Sequence, residues 1–323
     1  MQALIRAAAG AVMLCCAALA GAQGAANYPT KPIRMVVPFT PGSATDILGR
    51  SVGERLSAAW GQPVVVENVP GAGGTIGTGQ VAKSTPDGYT LLVVSAGHVV
   101  NPVLYSSLSY ELKDLAGVIP LGTLPSVIIA SPESGIKTMK QLVDQLKANP
   151  GKLNYATAGT GSAADVHLAK FRAGVGYDAV HIPLKGTPPM LIEVASGRVQ
   201  FAAVPLVSSI GQIKDGKVVA LAVSTPQRSP ALPDVPTAVE SGFPSAEFNF
   251  WVGLLAPAGT PRPIVDKLNA EIMKIMETPE MKDRLAKLGA DAFPLSPEKF
   301  DAFIADEARV LGGAMRAVGA KAQ

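Results

Sequence analysis

Ile33-Arg34-Met35-Val36-Val37-Pro38-Phe39-Thr40-Pro41-Gly42-Ser43-Ala44-Thr45-Asp46 passes from an apolar, β-branched run through proline and glycine into small hydroxyl residues and an acid. The apolar run suits a buried strand, the Pro and Gly residues a turn, and the small polar residues ahead of the helical pattern from Thr45 to Ala59 a helix start. A strand that turns on glycine into a helix is half of a parallel crossover unit. The alternation continues with strands at Val64 to Glu67 and Thr90 to Ser95 and a helix over Thr75 to Lys83. It resumes with a strand at Leu153 to Ala156, a helix over Ala163 to Ala173, a strand at Val180 to Pro183 and a helix over Pro188 to Ser196. The rhythm predicts parallel α/β lobes. Val118 to Ala130 and Phe248 to Ala256 are too long for ordinary buried strands and read as the chain crossing between lobes. Pro261 to Met276, Pro279 to Leu288 and Pro297 to Met315 read as helices packed back on the first lobe. No internal repeat and no low-complexity segment is read.

The N-terminal segment carries Arg6, then an uncharged apolar run from Ala7 to Ala20, then small residues. This is the layout of a secretory leader, with Ala20-Gly21-Ala22 or Ala18-Leu19-Ala20 at the cleavage point. The run is shorter than the roughly 20 residues of a spanning helix, and no later segment is long enough either. The expectation is a leader over residues 1–22 and a soluble, exported, periplasmic protein. Cys15 and Cys16 would leave with the leader, so the mature chain would have no disulfide, thiolate metal site or cysteine nucleophile. Charged residues make up 16% of the chain, its formal charge is +3, and no basic block is present, which argues against a nucleic-acid partner. Roughly 300 mature residues, 48% apolar in the whole chain, suffice for two lobes.

Three strand-to-helix junctions are built from glycine, alanine and small hydroxyl residues: Pro41 to Asp46, Ser95-Ala96-Gly97-His98, and Thr157-Ala158-Gly159-Thr160-Gly161-Ser162. First-turn N–H groups have no partner within a helix, the dipole adds partial positive charge, and small side chains admit a carboxylate or phosphate to the backbone. Any one such junction is explained by turn geometry alone; three at strand C-terminal ends point to a ligand cleft. Gly159 to Ala164 also fits a dinucleotide fingerprint, but Asp178 precedes the next strand and Glu193 lies beyond it, so the acid that fingerprint needs is misplaced. No G-x-S-x-G occurs, and His98, His167 and His181 lack metal-ligand spacing. No catalytic residue, metal or cofactor is assigned. His98 and His167 either line a cleft or pack locally, and His181 packs in its strand. Asp46 either pairs with Arg50 at i,i+4 or meets a ligand group. Lys185 either approaches an anion or is solvated, and Trp60 and Trp251 are packing residues.

Further segments carry a resemblance: Tyr28 to Ile33, Pro38 to Gly42 with Asp46 and Arg50, Val66-Glu67-Asn68, Pro70 to Gly74, and Pro86-Asp87-Gly88-Tyr89. Leu153-Asn154-Tyr155, His167-Leu168, Lys185-Gly186, Leu232 to Thr237, Glu240-Ser241-Gly242, Trp251-Val252-Gly253 and Ala256 to Pro261 complete it. In this order they resemble the Bug family, the substrate-binding proteins of tripartite tricarboxylate transporters. The resemblance implies a type II periplasmic-binding-protein fold without catalysis, whose lobes close on a small organic carboxylate in a Venus-flytrap cleft. It implies membrane transporter subunits as partners, and a monomer is expected. Lobe 1 would take residues 27–124 and 251–323, and lobe 2 residues 125–250. Expected at the ligand are Phe39, Gly42, Ser43, Ala44, Thr45 and Asp46, then Ser95, Ala96 and Gly97. From the second lobe come Ala158, Gly159, Thr160, Gly161, Ser162, His167 and Lys185. Ser43 stands where the family usually has a second glycine, Leu184 where an aromatic is common, and Glu193 where aspartate is usual. The alternative reading is an exported hydrolase with a dispersed site.

Overall fold

The computed structural model describes residues 27–317. The expected leader and its cysteines lie outside them. β1 (Ile33–Val37) is buried along nearly its whole length, and α1 (Ala44–Trp60) begins after Ser43 and stops at Gly61. Gly61 sits at φ 63°, where glycine alone is unstrained. β2 (Val64–Asn68) and β3 (Thr90–Ser95) pair parallel on either side of β1, with α2 (Thr75–Ala82) between them in the chain. After β3 the chain makes a 3₁₀ turn over Ala96–Val100 and the one-turn α3 (Asn101–Leu104). The expected junction at Ser95 to His98 is therefore a tight turn and not the start of a full helix.

The apolar run from Val118 is two strands, β4 (Leu115–Leu124) and β5 (Ser126–Ala130), in different sheets. Pro125, which has no N–H to continue a ladder, separates them. The second sheet collects β5 with β6 (Asn154–Thr157), β7 (Val180–Pro183), β8 (Phe201–Pro205) and β9 (Val219–Val223), in the order β7-β6-β8-β5-β9. Its helices are α4 (Met139–Ala148), α5 (Ala163–Val175), α6 (Thr187–Ala195) and α7 (Leu206–Lys214). β5 shows why an unbroken apolar run is needed here. Ile128 and Ala130 join the core on one face with Leu142, Phe171 and Phe201, while Val127 and Ile129 join the other with Met190 and Val204.

β10 (Phe250–Pro257) brings the chain back and slots between β3 and β4, giving the order β2-β1-β3-β10-β4. It is antiparallel to both neighbours, and β5 is antiparallel to β8 and β9. The sheets are thus mixed, not parallel throughout: the strands next to the crossings run against the crossover units. α8 (Arg262–Glu277), α9 (Pro279–Lys287) and α10 (Pro297–Ala317) follow. α8 and α10 pack on β4, and the buried Trp251 meets Phe300 at 5.8 Å edge-on and donates through its indole N–H to Glu307 at 2.9 Å. Among the described residues no helix is long and apolar enough to cross a membrane.

The crossings are tied where they pass. The Ser126 N–H donates to Ser224 Oγ at 3.0 Å, and Ser224 Oγ donates to the Phe248 carbonyl at 2.8 Å. His167, on α5, links Ser126 Oγ at 2.9 Å to the Ala246 carbonyl at 2.7 Å. Its ring stacks on Phe248 with centroids 5.0 Å apart.

Candidate ligand cleft

Two loops that the sequence makes nearly alike face each other where the lobes meet. Gly42-Ser43-Ala44-Thr45-Asp46 leads into α1, and Gly161-Ser162-Ala163-Ala164-Asp165 leads into α5. The glycines lie at φ 84° and 78°, a region that carries a steric penalty for any residue with a Cβ. The serines follow at φ/ψ −70°/157° and −67°/161°. Ser43 N–H donates to the Thr40 carbonyl at 3.2 Å, and Ser162 N–H to the Gly159 carbonyl at 3.0 Å. Each glycine N–H donates to the aspartate four residues on, at 2.9 Å in both loops. This five-residue correspondence is an internal repeat that the sequence reading missed, being short and set far apart in the chain.

Between the loops lies a pocket of about 310 Å³ of empty space. Phe39, Ser43, Ala44, Thr45, Ser95 and Phe250 line it from one lobe; Ala158, Ser162, Ala163, Ala164, Thr187 and Pro205 line it from the other. None of these side chains is charged. The first-turn N–H groups of α1 and α5 have no intrahelical partner and carry the positive end of the helix dipole. Thr45 Oγ1 is buried without a hydrogen-bond partner. The wall therefore offers backbone and hydroxyl groups to an anion, and an apolar surface to its carbon skeleton.

The lobes are closed over this pocket. Tyr105 Oη donates to the Thr160 carbonyl at 2.9 Å, Thr40 N–H to the Lys185 carbonyl at 3.2 Å, and Thr187 N–H to Ser43 Oγ at 3.4 Å. A Cβ on Gly97 would lie 2.5 Å from the Ala163 nitrogen, so glycine is required for this approach. Ser43, at an ordinary extended φ, is not strained in place of the second glycine; its hydroxyl becomes a contact to the opposite lobe.

Of the residues expected at the ligand, Phe39, Ser43, Ala44, Thr45, Ser95, Ala158 and Ser162 line the pocket. Gly42, Ala96, Gly97, Gly159, Thr160 and Gly161 shape the loops around it. Asp46 does not line it: its carboxylate is taken up by Gly42 N–H, Arg50 Nε at 2.9 Å and Asn68 Nδ2 at 2.9 Å. His167 is corrected to a role at the crossing, and burial holds its pKa down at about 4. Lys185 reaches the opposite lobe through its carbonyl, while its side chain is exposed. Glu193 pairs with Arg198 at 2.6 Å, which lowers its pKa. His98 is buried behind the pocket beside Asn101, its Nδ1 unpartnered, and burial lowers its pKa to about 4. Ala163, Ala164, Thr187, Pro205 and Phe250 were missed. They sit at element ends whose residues look like ordinary core or turn in sequence. Among the described residues no cluster of three His, Cys, Asp or Glu is placed to hold a metal.

Two mixed α/β lobes shut on an uncharged pocket between opposed helix starts define a two-lobed solute-binding receptor. The chain matches the family described as tripartite tricarboxylate transporter family receptor over residues 48–319, and it belongs to that family. It is 35% identical to protein BugT of Bordetella pertussis over 313 residues, which is 96% of each chain. The structure of the periplasmic binding protein BugD superposes with a TM-score of 0.87 at 35% identity, covering 92% of this chain and 100% of that one. MatC from Rhodopseudomonas palustris with bound malate gives 0.85 at 31% identity, covering 89% and 99%. Members of the family are solute-binding receptors and not enzymes.

Proposed function

We propose that this protein is exported to the periplasm, captures a small organic carboxylate in the cleft, and delivers it to membrane subunits of a tripartite tricarboxylate-type transporter. The observation that carries the reading is the pair of helix starts facing one uncharged pocket, one of them with the unpartnered Thr45 hydroxyl beside it. Such a wall stabilises a carboxylate by charge-assisted N–H bonds without a salt bridge. The malate bound in MatC supports a carboxylate here, and the Ala7 to Ala20 segment supports export. In this reading residues 27–124 with the chain from β10 onward form one jaw, the residues between them the other, and the protein acts as a monomer.

Thermal-shift titration with a panel of mono- and dicarboxylates, malate and adipate among them, tests this. A binding acid raises Tm in a concentration-dependent way, by about 2.7 kcal/mol of apparent stability at 100 times its Kd, and is recovered unchanged. A panel in which no acid acts while sugars or cationic amino acids do would overturn the carboxylate assignment.

A further inference from the structure

Neither Asp46 nor Asp165 lines the pocket, yet each closes the same brace behind it. In both loops Oδ2 accepts the N–H of the left-handed glycine. The bond fixes the turn from which Ser43 or Ser162 steps into its helix, and so sets the direction of the following N–H groups. A second side chain backs each brace. Asn68 Nδ2 bridges Asp46 Oδ1 and the Phe39 carbonyl, at 2.9 Å each, tying the brace to the pocket wall. On the other side Thr157 Oγ1 accepts Gly159 N–H at 3.2 Å and meets His181 Nε2 at 2.7 Å.

The cations differ. Arg50 Nε lies 2.9 Å from Asp46 Oδ1, whereas His181 Nε2 lies 4.0 Å from Asp165 Oδ1. A guanidinium keeps its charge throughout the range in which proteins fold; an imidazole does not. Burial raises the pKa of Asp165, against the pull of Gly161 N–H and His181, and burial lowers that of His181. The other ionisable groups that feel Asp165 are Tyr155 on β6, Tyr177 beyond α5 and Tyr105 from the opposite lobe, and Arg172 on α5 acts on the first two of these tyrosines.

We infer that Asp46 and Asp165 are paired positioning residues of the cleft, each holding the turn that presents its lobe's helix start to the ligand, with a permanent cation beside the first brace and an imidazole beside the second. The inference rests on reading the cleft as the ligand site. It makes affinity fall as the solution is acidified through Asp165, because a protonated carboxyl is a weaker acceptor for Gly161 N–H.

The test uses the full chain, with malate and adipate as probes in calorimetry and the Gly42 and Gly161 amides followed by NMR. Asp165→Ala is expected to weaken binding tenfold or more and to speed exchange of the Gly161 amide. Asp165→Asn, which keeps an acceptor oxygen, restores most of the affinity and makes its fall on acidification shallower than in the wild type, leaving the part due to the ligand's own carboxylates. In the wild type the Gly161 amide shift moves as the pH is lowered from neutrality, and in Asp165→Asn it stays flat. Asp46→Ala is expected to weaken binding and free the Gly42 amide. A Gly161 amide indifferent to Asp165→Ala, or a variant that loses Tm but binds within twofold of wild type, would overturn the positioning role. If the amide responds while neither acid binds the wild type, the carboxylate reading falls and the positioning stands.

Discussion

Thr45 brings to the pocket wall a buried hydroxyl that nothing in the protein satisfies. Thr45→Val keeps the shape and removes the group. Affinity for the cognate acid should fall by about 1.5–3 kcal/mol if the hydroxyl meets the carboxylate, with unchanged or slightly raised stability, read by calorimetry and urea unfolding. Gly161→Val should cost more than tenfold in affinity, about 1.4 kcal/mol or above. Its φ is 78° and a Cβ would stand 2.5 Å from Asn101 Oδ1 across the cleft. Lys185→Ala should leave affinity within about threefold, since an exposed ammonium contributes screened attraction. Circular dichroism of each variant checks the fold, and a normal Gly161→Val beside a dead Lys185→Ala would put an ion pair in place of the helix starts. Small hydroxyl residues at turns were legible as pocket wall because three such junctions fall at strand ends, where one alone would be explained by turn geometry. His167 was not: a histidine just inside a helix can face cleft or core, and its partners Ser126 and Ala246 are remote in sequence.

α5 serves the cleft with its first turn and the lobe crossing with its second. His167→Ala would leave Ser126 Oγ and the Ala246 carbonyl without their imidazole and remove a ring stacked on Phe248. Stability should drop by about 2–4 kcal/mol, measured as a shift in the urea midpoint; a shift near zero would show that the crossing holds without it. Alternating strands and helices could be read closely, β3 and β7 to the residue, because periodicity and the bounding Gly and Pro residues are local signals. Strand direction could not. Nothing in Phe250–Pro257 records that it runs against β3 and β4, since both faces of a buried strand ask for the same residues. The apolar run through Pro125 was legible as a crossing, but the proline's role in dividing it between two sheets emerges only from the pairing.

Acid should destabilise the whole molecule. Burial holds His98 and His167 near pKa 4 in the folded protein, whereas an exposed imidazole titrates near 6.5. Between those values the unfolded chain binds more protons, so stability rises with pH. The contribution is complete above about 6.5 and is lost as the pH falls to about 4, on the order of 3 kcal/mol for each histidine. His181, also lowered by burial, acts in the same direction, and Asp165, raised by burial, opposes it at the acid end. Urea midpoints measured from neutrality downward should decline, and His98→Asn should flatten the decline; an unchanged slope would locate acid sensitivity elsewhere. The seat of β10 between β3 and β4 reaches beyond the folded state. On the ribosome, every strand of the second sheet exists once Val223 has been made, but the first sheet lacks an interior strand until Pro257 emerges. Until then β3 and β4 each present an unfilled edge. A chain terminated before Phe250 is therefore expected to stick to its own kind through those edges, so that nonsense products appear as aggregates and never as half-receptors.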